Sequence, residues 1–315
     1  MKLNPNKLIS IILFLALLMT RCKQERSLPM GVEFKDSDFV FVSLDWAPDS
    51  ERLVVASAEA LYSGINIGQQ ESSEVFVWDP VSDSYLQVSD QEFTYTNSDP
   101  VWRPGTEQIL YHSRTEFGNK EQVGIVDIET GEKIPLTRFG PPMDWFPDGS
   151  KIVLGEFNSL LVIDVASRNI LDPDLWAAPN RNEQIFSLAV SPDGQQIAVL
   201  TRDYPSPTQL WLISEDGKEE RLILENQFMD KINWSPDGNW LIFVGDKGIF
   251  ATQPQNECTT DVLIIQGFVQ DIDWSPNGQQ IAVAAYDEKK AGVYFFDTSS
   301  KFIQEWLTSG SCPSN

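Results

Sequence analysis

Carboxylates are the reactive groups this sequence holds in excess: 46 Asp and Glu stand against 23 Lys and Arg, for a net charge of −23. Two acids facing each other across a cleft can hydrolyse a glycoside, one giving a proton while the other acts as base or nucleophile. A carboxylate-dependent carbohydrate-active or lactonase-like enzyme is therefore one expectation, although no spacing in the chain brings a particular pair together. The acids that recur suit structural work. Asp45, Asp144 and Asp273 each stand just before a tryptophan, placed to hydrogen-bond between neighbouring sheets. Asp79, Asp127, Asp164 and Asp297 each close an apolar strand ahead of a polar turn, where an Asp side chain binds its own backbone.

Other catalytic constellations are missing from the chain. His112 is the only histidine, so neither an H-E-x-x-H helix nor a multi-histidine metal site can be built. Within "ILYHSR" it reads as a hydrogen-bonded or edge-exposed strand residue. No G-x-S-x-G elbow, Walker loop, G-x-G-x-x-G or D-x-D-x-D-G loop occurs, which leaves hydrolase, nucleotide and calcium chemistry without their usual frames. The reading is of no catalytic residue, no metal and no cofactor. The acid excess repels nucleic acid and anionic membrane surfaces, and leaves basic partners or divalent cations as the electrostatically permitted ones.

At the N-terminus, Lys2 and Lys7 precede an uncharged run from Leu8 to Thr20, followed by Arg21 and Cys22. The run is shorter than the roughly 20 residues that span a bilayer and suits the apolar core of a secretory signal. Residues 1–21 are expected to be a lipoprotein-type signal, with Cys22 the lipidated residue and the lipid anchor the sole membrane contact. That implies an extracytoplasmic location. Residues 22–37 read as a linker, 38–308 as the folded domain and 309–315 as a tail. Cys258 and Cys312 are then either a disulfide fastening the tail or two free thiols.

The elements that position all of this come from a repeat. Six copies align: "LDWAPDSERLVVA", "PVWRPGTEQILYH", "MDWFPDGSKIVLG", "LAVSPDGQQIAVL", "INWSPDGNWLIFV" and "IDWSPNGQQIAVA". The residue before the turn is Trp46, Trp102, Trp145, Val190, Trp234 and Trp274, a period of about 45 residues, that of a four-stranded propeller blade. Ser caps the turn, Pro fixes φ and Gly takes the positive φ that re-enters a ladder. Each hairpin is followed by a third strand, such as "VFVWD" or "VYFFD", and by a weaker fourth, such as "YLQVS", "RLILE", "VLIIQ" or "FIQEWL". The expected fold is all-β, a six-bladed β-propeller of four-stranded antiparallel blades. The recurring tryptophans read as core packing between blades.

The W-S-P-D-G-x-x-I-A repeat resembles that of TolB-like propellers, a WD-repeat-like family, over roughly Val40 to Leu307. The resemblance implies a rigid scaffold at a bacterial envelope, and the leading expectation is a non-catalytic protein-binding module. In an antiparallel blade the second-to-third and blade-to-blade connections share one end. The longest irregular connections, carrying Tyr62, Phe117, Trp176 and Tyr204, fall in that set, so these four residues are expected to form the binding face.

Overall fold

The turn motif folds as its residues require. In the fifth repeat Gly238 N–H donates to the Ser235 carbonyl (2.9 Å) and Gly238 takes φ 70°. Ser235 Oγ accepts from Trp240 N–H (2.9 Å) and Asp237 Oδ1 from Asn239 N–H (3.0 Å). The expected third-strand acids act alike: Asp79 accepts from the Val81 amide (2.8 Å), Asp127 from Thr130 (2.9 Å), Asp164 from Ser167 (2.7 Å) and Asp297 from Ser299 (2.8 Å). Local side-chain bonds thus fix both kinds of turn and hold the strand registers.

The structure is a computed structural model that describes residues 30–37, 39–59, 73–89, 95–115, 121–203, 205–256, 258–287 and 290–310. Six four-stranded antiparallel blades make a β-propeller. Their inner strands are Phe39–Trp46, Tyr95–Trp102, Met143–Trp145, Gln184–Val190, Asp230–Trp234 and Phe268–Trp274. Each inner strand touches the next, and the sixth touches the first, which closes a ring around an axial channel. Blades one and two are further joined by a single parallel pair, Ser73 with Thr96.

The second strands are buried on both faces: Leu53, Val54, Val55 and Ala56, and likewise Ile281, Ala282, Val283 and Ala284, are wholly enclosed. Blades stacked face to face require this. Each enclosed aliphatic side chain contributes about 1.5–3 kcal/mol through lost contact with water. The repeat tryptophans are buried between blades as expected, with Trp46, for example, packed edge-on to Phe295 of blade six.

Blade six departs from the sequence reading. "FIQEWL" is no strand: Lys301–Leu307 is a helix, N-capped by Ser300, whose hydroxyl accepts from Ile303 N–H (3.3 Å). Ile303, Trp306 and Leu307 recur at helical spacing and bury against blades five and six. The fourth strand of blade six is Val32–Ser37, antiparallel to Ala291–Asp297 with Val32 opposite Phe296 and Ser37 opposite Ala291. The sequence reads these six residues as part of the 22–37 linker, but they are the strand that completes the last blade and closes the ring.

Candidate functional site

The two ends of the propeller differ. At the end of the Pro-Asp-Gly turns, successive blades meet each other. Arg52 Nη2 pairs with Glu107 Oε1 (2.9 Å), Arg103 Nε donates to the Gly149 carbonyl (2.9 Å) and Asn277 N–H donates to Ser50 Oγ (3.1 Å). Gly194 lies so close to Pro147 that a Cβ there would sit 3.2 Å from its Cδ. At this end the turns of neighbouring blades contact one another.

The opposite end carries the second-to-third and blade-to-blade connections, several of which lie outside the described residues. Its cavities include one of about 530 Å³ between blades two and three, lined by His112, Arg114, Arg138 and Phe157 among others. Another of about 690 Å³ lies between blades four and five, beside Phe228, Lys247 and Phe250. Phe157, at a hairpin tip, is 59% exposed, Phe228 41% and Phe268 66%. Three exposed phenylalanines at one end make a surface that water leaves readily.

The channel is lined by charged groups. Inner strands are sheet edges, and their outward amides need acceptors. Asp45 Oδ2 accepts from Trp102 N–H (2.7 Å), Asp144 Oδ2 from Val190 N–H (2.7 Å) and Asp273 Oδ2 from Trp46 N–H (2.6 Å). Each bond crosses from one blade to the next, as the Asp-Trp pattern foretold. Where the residue before the aligned position is Val101 or Ala189, the latch runs differently. The indole of the following blade donates to that residue's carbonyl, Trp145 Nε1 to Val101 (3.3 Å) and Trp234 Nε1 to Ala189 (3.1 Å).

Burial raises the carboxyl of Asp144 to about 7. Burial and the nearby Asp271 raise Asp273 to about 8, against its bond from Trp46. Asp45 is pushed well above the usual carboxylate range by burial and by Asp273. Asp271, which accepts from Leu44 N–H (3.0 Å), is raised by burial to about 6. Across the channel, Lys231 Nζ of blade five lies 3.3 Å from Asp99 Oδ1 of the opposite blade two. Burial opposes the charge on Lys231, but Asp271 and Asp99 hold it protonated. Burial likewise opposes the charge on Asp99, and Lys231 and Ser98 outweigh it. Both residues sit in the left-handed backbone region, at φ 41° and 49°.

Of the four aromatic residues expected on the binding face, Tyr62, Phe117 and Tyr204 lie outside the described residues, as do Cys22 and Cys312. Trp176 is not a loop residue. "ILDPDLWA" forms the outer strand Ile170–Ala177, and Trp176 is 5% exposed within the cluster that joins blades three and four. Its indole lies 6.2 Å from that of Trp211, and its Nε1 donates to Glu220. The sequence reads this stretch as an irregular connection, but an outermost strand tolerates its proline and its acids. Cys258 is disulfide-bonded, its partner lying outside the described residues. His112 is buried, with Nδ1 3.3 Å from Ser98 Oγ. Among the described residues no group of three or more His, Cys, Asp or Glu is arranged to hold a metal ion. Phe157 and Phe228 sit on short connections and Phe268 begins an inner strand, so no long loop marks any of them in the sequence.

No protein-family profile matches the chain. It is 29% identical to the uncharacterized protein YidR of Escherichia coli over 269 residues, 80% of this chain and 61% of that one. TolB of Acinetobacter baumannii superposes with a TM-score of 0.59 at 14% identity, over 86% of this chain and 64% of TolB. An oligogalacturonate lyase in complex with manganese superposes with a TM-score of 0.53 at 12% identity, over 88% and 93%. The chain therefore spans less than two thirds of YidR and of TolB. Repeat, blade topology and superposition agree on a six-bladed β-propeller similar to that of TolB.

Proposed function

We propose that this propeller is a non-catalytic, extracytoplasmic binding module whose protein partner docks on the end that carries the second-to-third and blade-to-blade connections. The observation that carries the reading is the collection of Phe157, Phe228 and Phe268, all exposed, at the end that also holds the cavities. The axial carboxylates are engaged by backbone amides of the next blade, which is structural work. With a net charge of −23, a basic partner is the one its field attracts. The disulfide at Cys258 suits an oxidising compartment, in keeping with a lipid-bearing Cys22. In the test, Phe157, Phe228 and Phe268 are all changed to Ser. Photo-crosslinkers at the mouth of the parent protein should capture a partner that the triple variant loses at unchanged Tm. Equal capture by both proteins removes the mouth as the docking face.

A second reading has its own support. Asp144 and Asp273, raised to about 7 and 8, lie where a general acid works at neutral pH, and the fold is similar to that of an oligogalacturonate lyase. Turnover of glycosides, acidic polysaccharides or lactones, lost in Asp144→Asn, would establish that reading in place of the first.

A further inference from the structure

We propose that the cavity between blades two and three binds a small organic oxyanion, a carboxylate or phosphate borne on a planar apolar group. The inference does not depend on a protein docking at the same mouth.

The charge in this cavity runs against the rest of the molecule. In a chain of net charge −23, the lining includes Arg114, Arg138 and His112, with Glu156 as the one acid among the lining residues. Arginine forks match the planar oxygens of a carboxylate or phosphate bidentately. Arg114 comes from the second strand of blade two and Arg138 from the segment leading to blade three, so the fold assembles the pair from distant positions. At about 530 Å³ the space suits a small molecule.

The walls are prepared for such a guest. His112 is 6% exposed, and Nδ1 is 3.3 Å from Ser98 Oγ, which fixes the ring against the cavity. Below, Gly155 N–H donates to the Pro142 carbonyl (2.8 Å), and a Cβ at Gly155 would meet Ile185 at 2.9 Å, so this part of the lining is held by packing. Phe139 and Phe157 supply apolar faces.

Phe157 is the second, independent sign. It occupies the tip of a two-residue hairpin between Lys151–Glu156 and Ser159–Asp164 at φ 54°. Glycine or asparagine takes that conformation without strain, whereas a bulky aromatic does not. The ring is nevertheless 59% exposed over the cavity. A strained aromatic whose side chain forms no part of the core points to a role in contacts outside the fold.

The test titrates the purified full-length chain in detergent with acetate, inorganic phosphate, benzoate and phenyl phosphate, following binding by calorimetry. Saturable binding is expected, tighter for the two aromatic anions, and whichever of those two is favoured names the head group. Arg114→Gln and Arg138→Gln should each weaken it about tenfold, the effect of losing one charge-assisted hydrogen bond. Phe157→Gly should leave acetate and phosphate binding intact, erase the aromatic advantage and raise Tm by relieving the backbone. No saturable binding by any probe, or full affinity in both arginine variants, overturns the site. A Phe157→Gly protein that binds benzoate undiminished overturns the aromatic half of the proposal.

Discussion

Asp144 accepts two backbone amides at once, Trp145 N–H on Oδ1 and Val190 N–H on Oδ2, each at 2.7 Å. One side chain thereby satisfies an amide of its own strand and an amide of the next blade. Asp144→Ala leaves both donors facing the channel without that acceptor, and a loss of about 1–3 kcal/mol is expected. Asp144→Asn keeps one acceptor oxygen and should lose less. Chemical denaturation of the two variants reads the difference, and an alanine variant as stable as the parent would show that channel water does the same work. The latch residues were legible because each sits at a fixed offset from a repeat tryptophan. Phe157 was not: a hairpin of two residues reserves its tip for glycine or asparagine, so the sequence pattern gives no reason to look for an aromatic there. Lys231, three residues before Trp234, carried a signal that went unused, since a charge in an inner strand needs a partner across the channel.

At the scale of elements, the ring depends on a strand from outside the repeat. Val32–Ser37 covers the free edge of Ala291–Asp297, and Phe34 packs on Tyr294 with ring centroids 4.5 Å apart. A chain beginning at Phe39 would leave that edge open to other chains. It is expected to unfold at lower temperature than one beginning at Met30 and to aggregate; matching melting curves would refute the closure role. The register of this strand is too distant in sequence from its partner to be read from the repeat, and the helical spacing of Ile303 and Trp306 is brief enough to pass for a strand. The helix leads the chain back to blade five. Trp306 Nε1 donates to the Asp261 carbonyl (2.8 Å), Ser309 Oγ accepts from Asp261 N–H (3.1 Å), and a Cβ at Gly310 would lie 2.1 Å from the Thr259 carbonyl. Gly310 thus lies beside the strand of disulfide-bonded Cys258, and Cys312 is its expected partner. Non-reducing peptide mapping should find the 258–312 pair, and Cys258→Ser should cost about 2–4 kcal/mol. A map that joins Cys258 to Cys22 instead would exclude a lipid on Cys22.

At the scale of the whole molecule, the six-fold repetition made the fold readable, because each copy repeats the same hairpin and any one of them states the blade. What the repeat leaves unstated is what differs between copies, and the axial charges are such a difference. Asp45, Asp144, Asp271 and Asp273 all stand above the ordinary carboxylate range, with burial the main cause. Their unfolded values lie near 4, so between pH 4 and 8 the folded state binds more protons than the unfolded one, and stability falls as pH rises. The stabilisation is complete below about pH 4 and is lost as pH climbs through about 6 for Asp271, 7 for Asp144 and 8 for Asp273. The turn acids held low by hydrogen bonds, such as Asp127 and Asp164, act in the opposite sense but below their unfolded values. They leave the window above pH 5 to the axial group. Tm measured by calorimetry should therefore decline from pH 5 to pH 8. In Asp273→Asn, where the titration near 8 is gone and a neutral side chain still accepts one amide, the decline should be shallower. A parent Tm that holds level or rises across that interval, or a variant whose slope matches the parent's, would mean that water in the channel keeps these carboxylates ionised in the folded state.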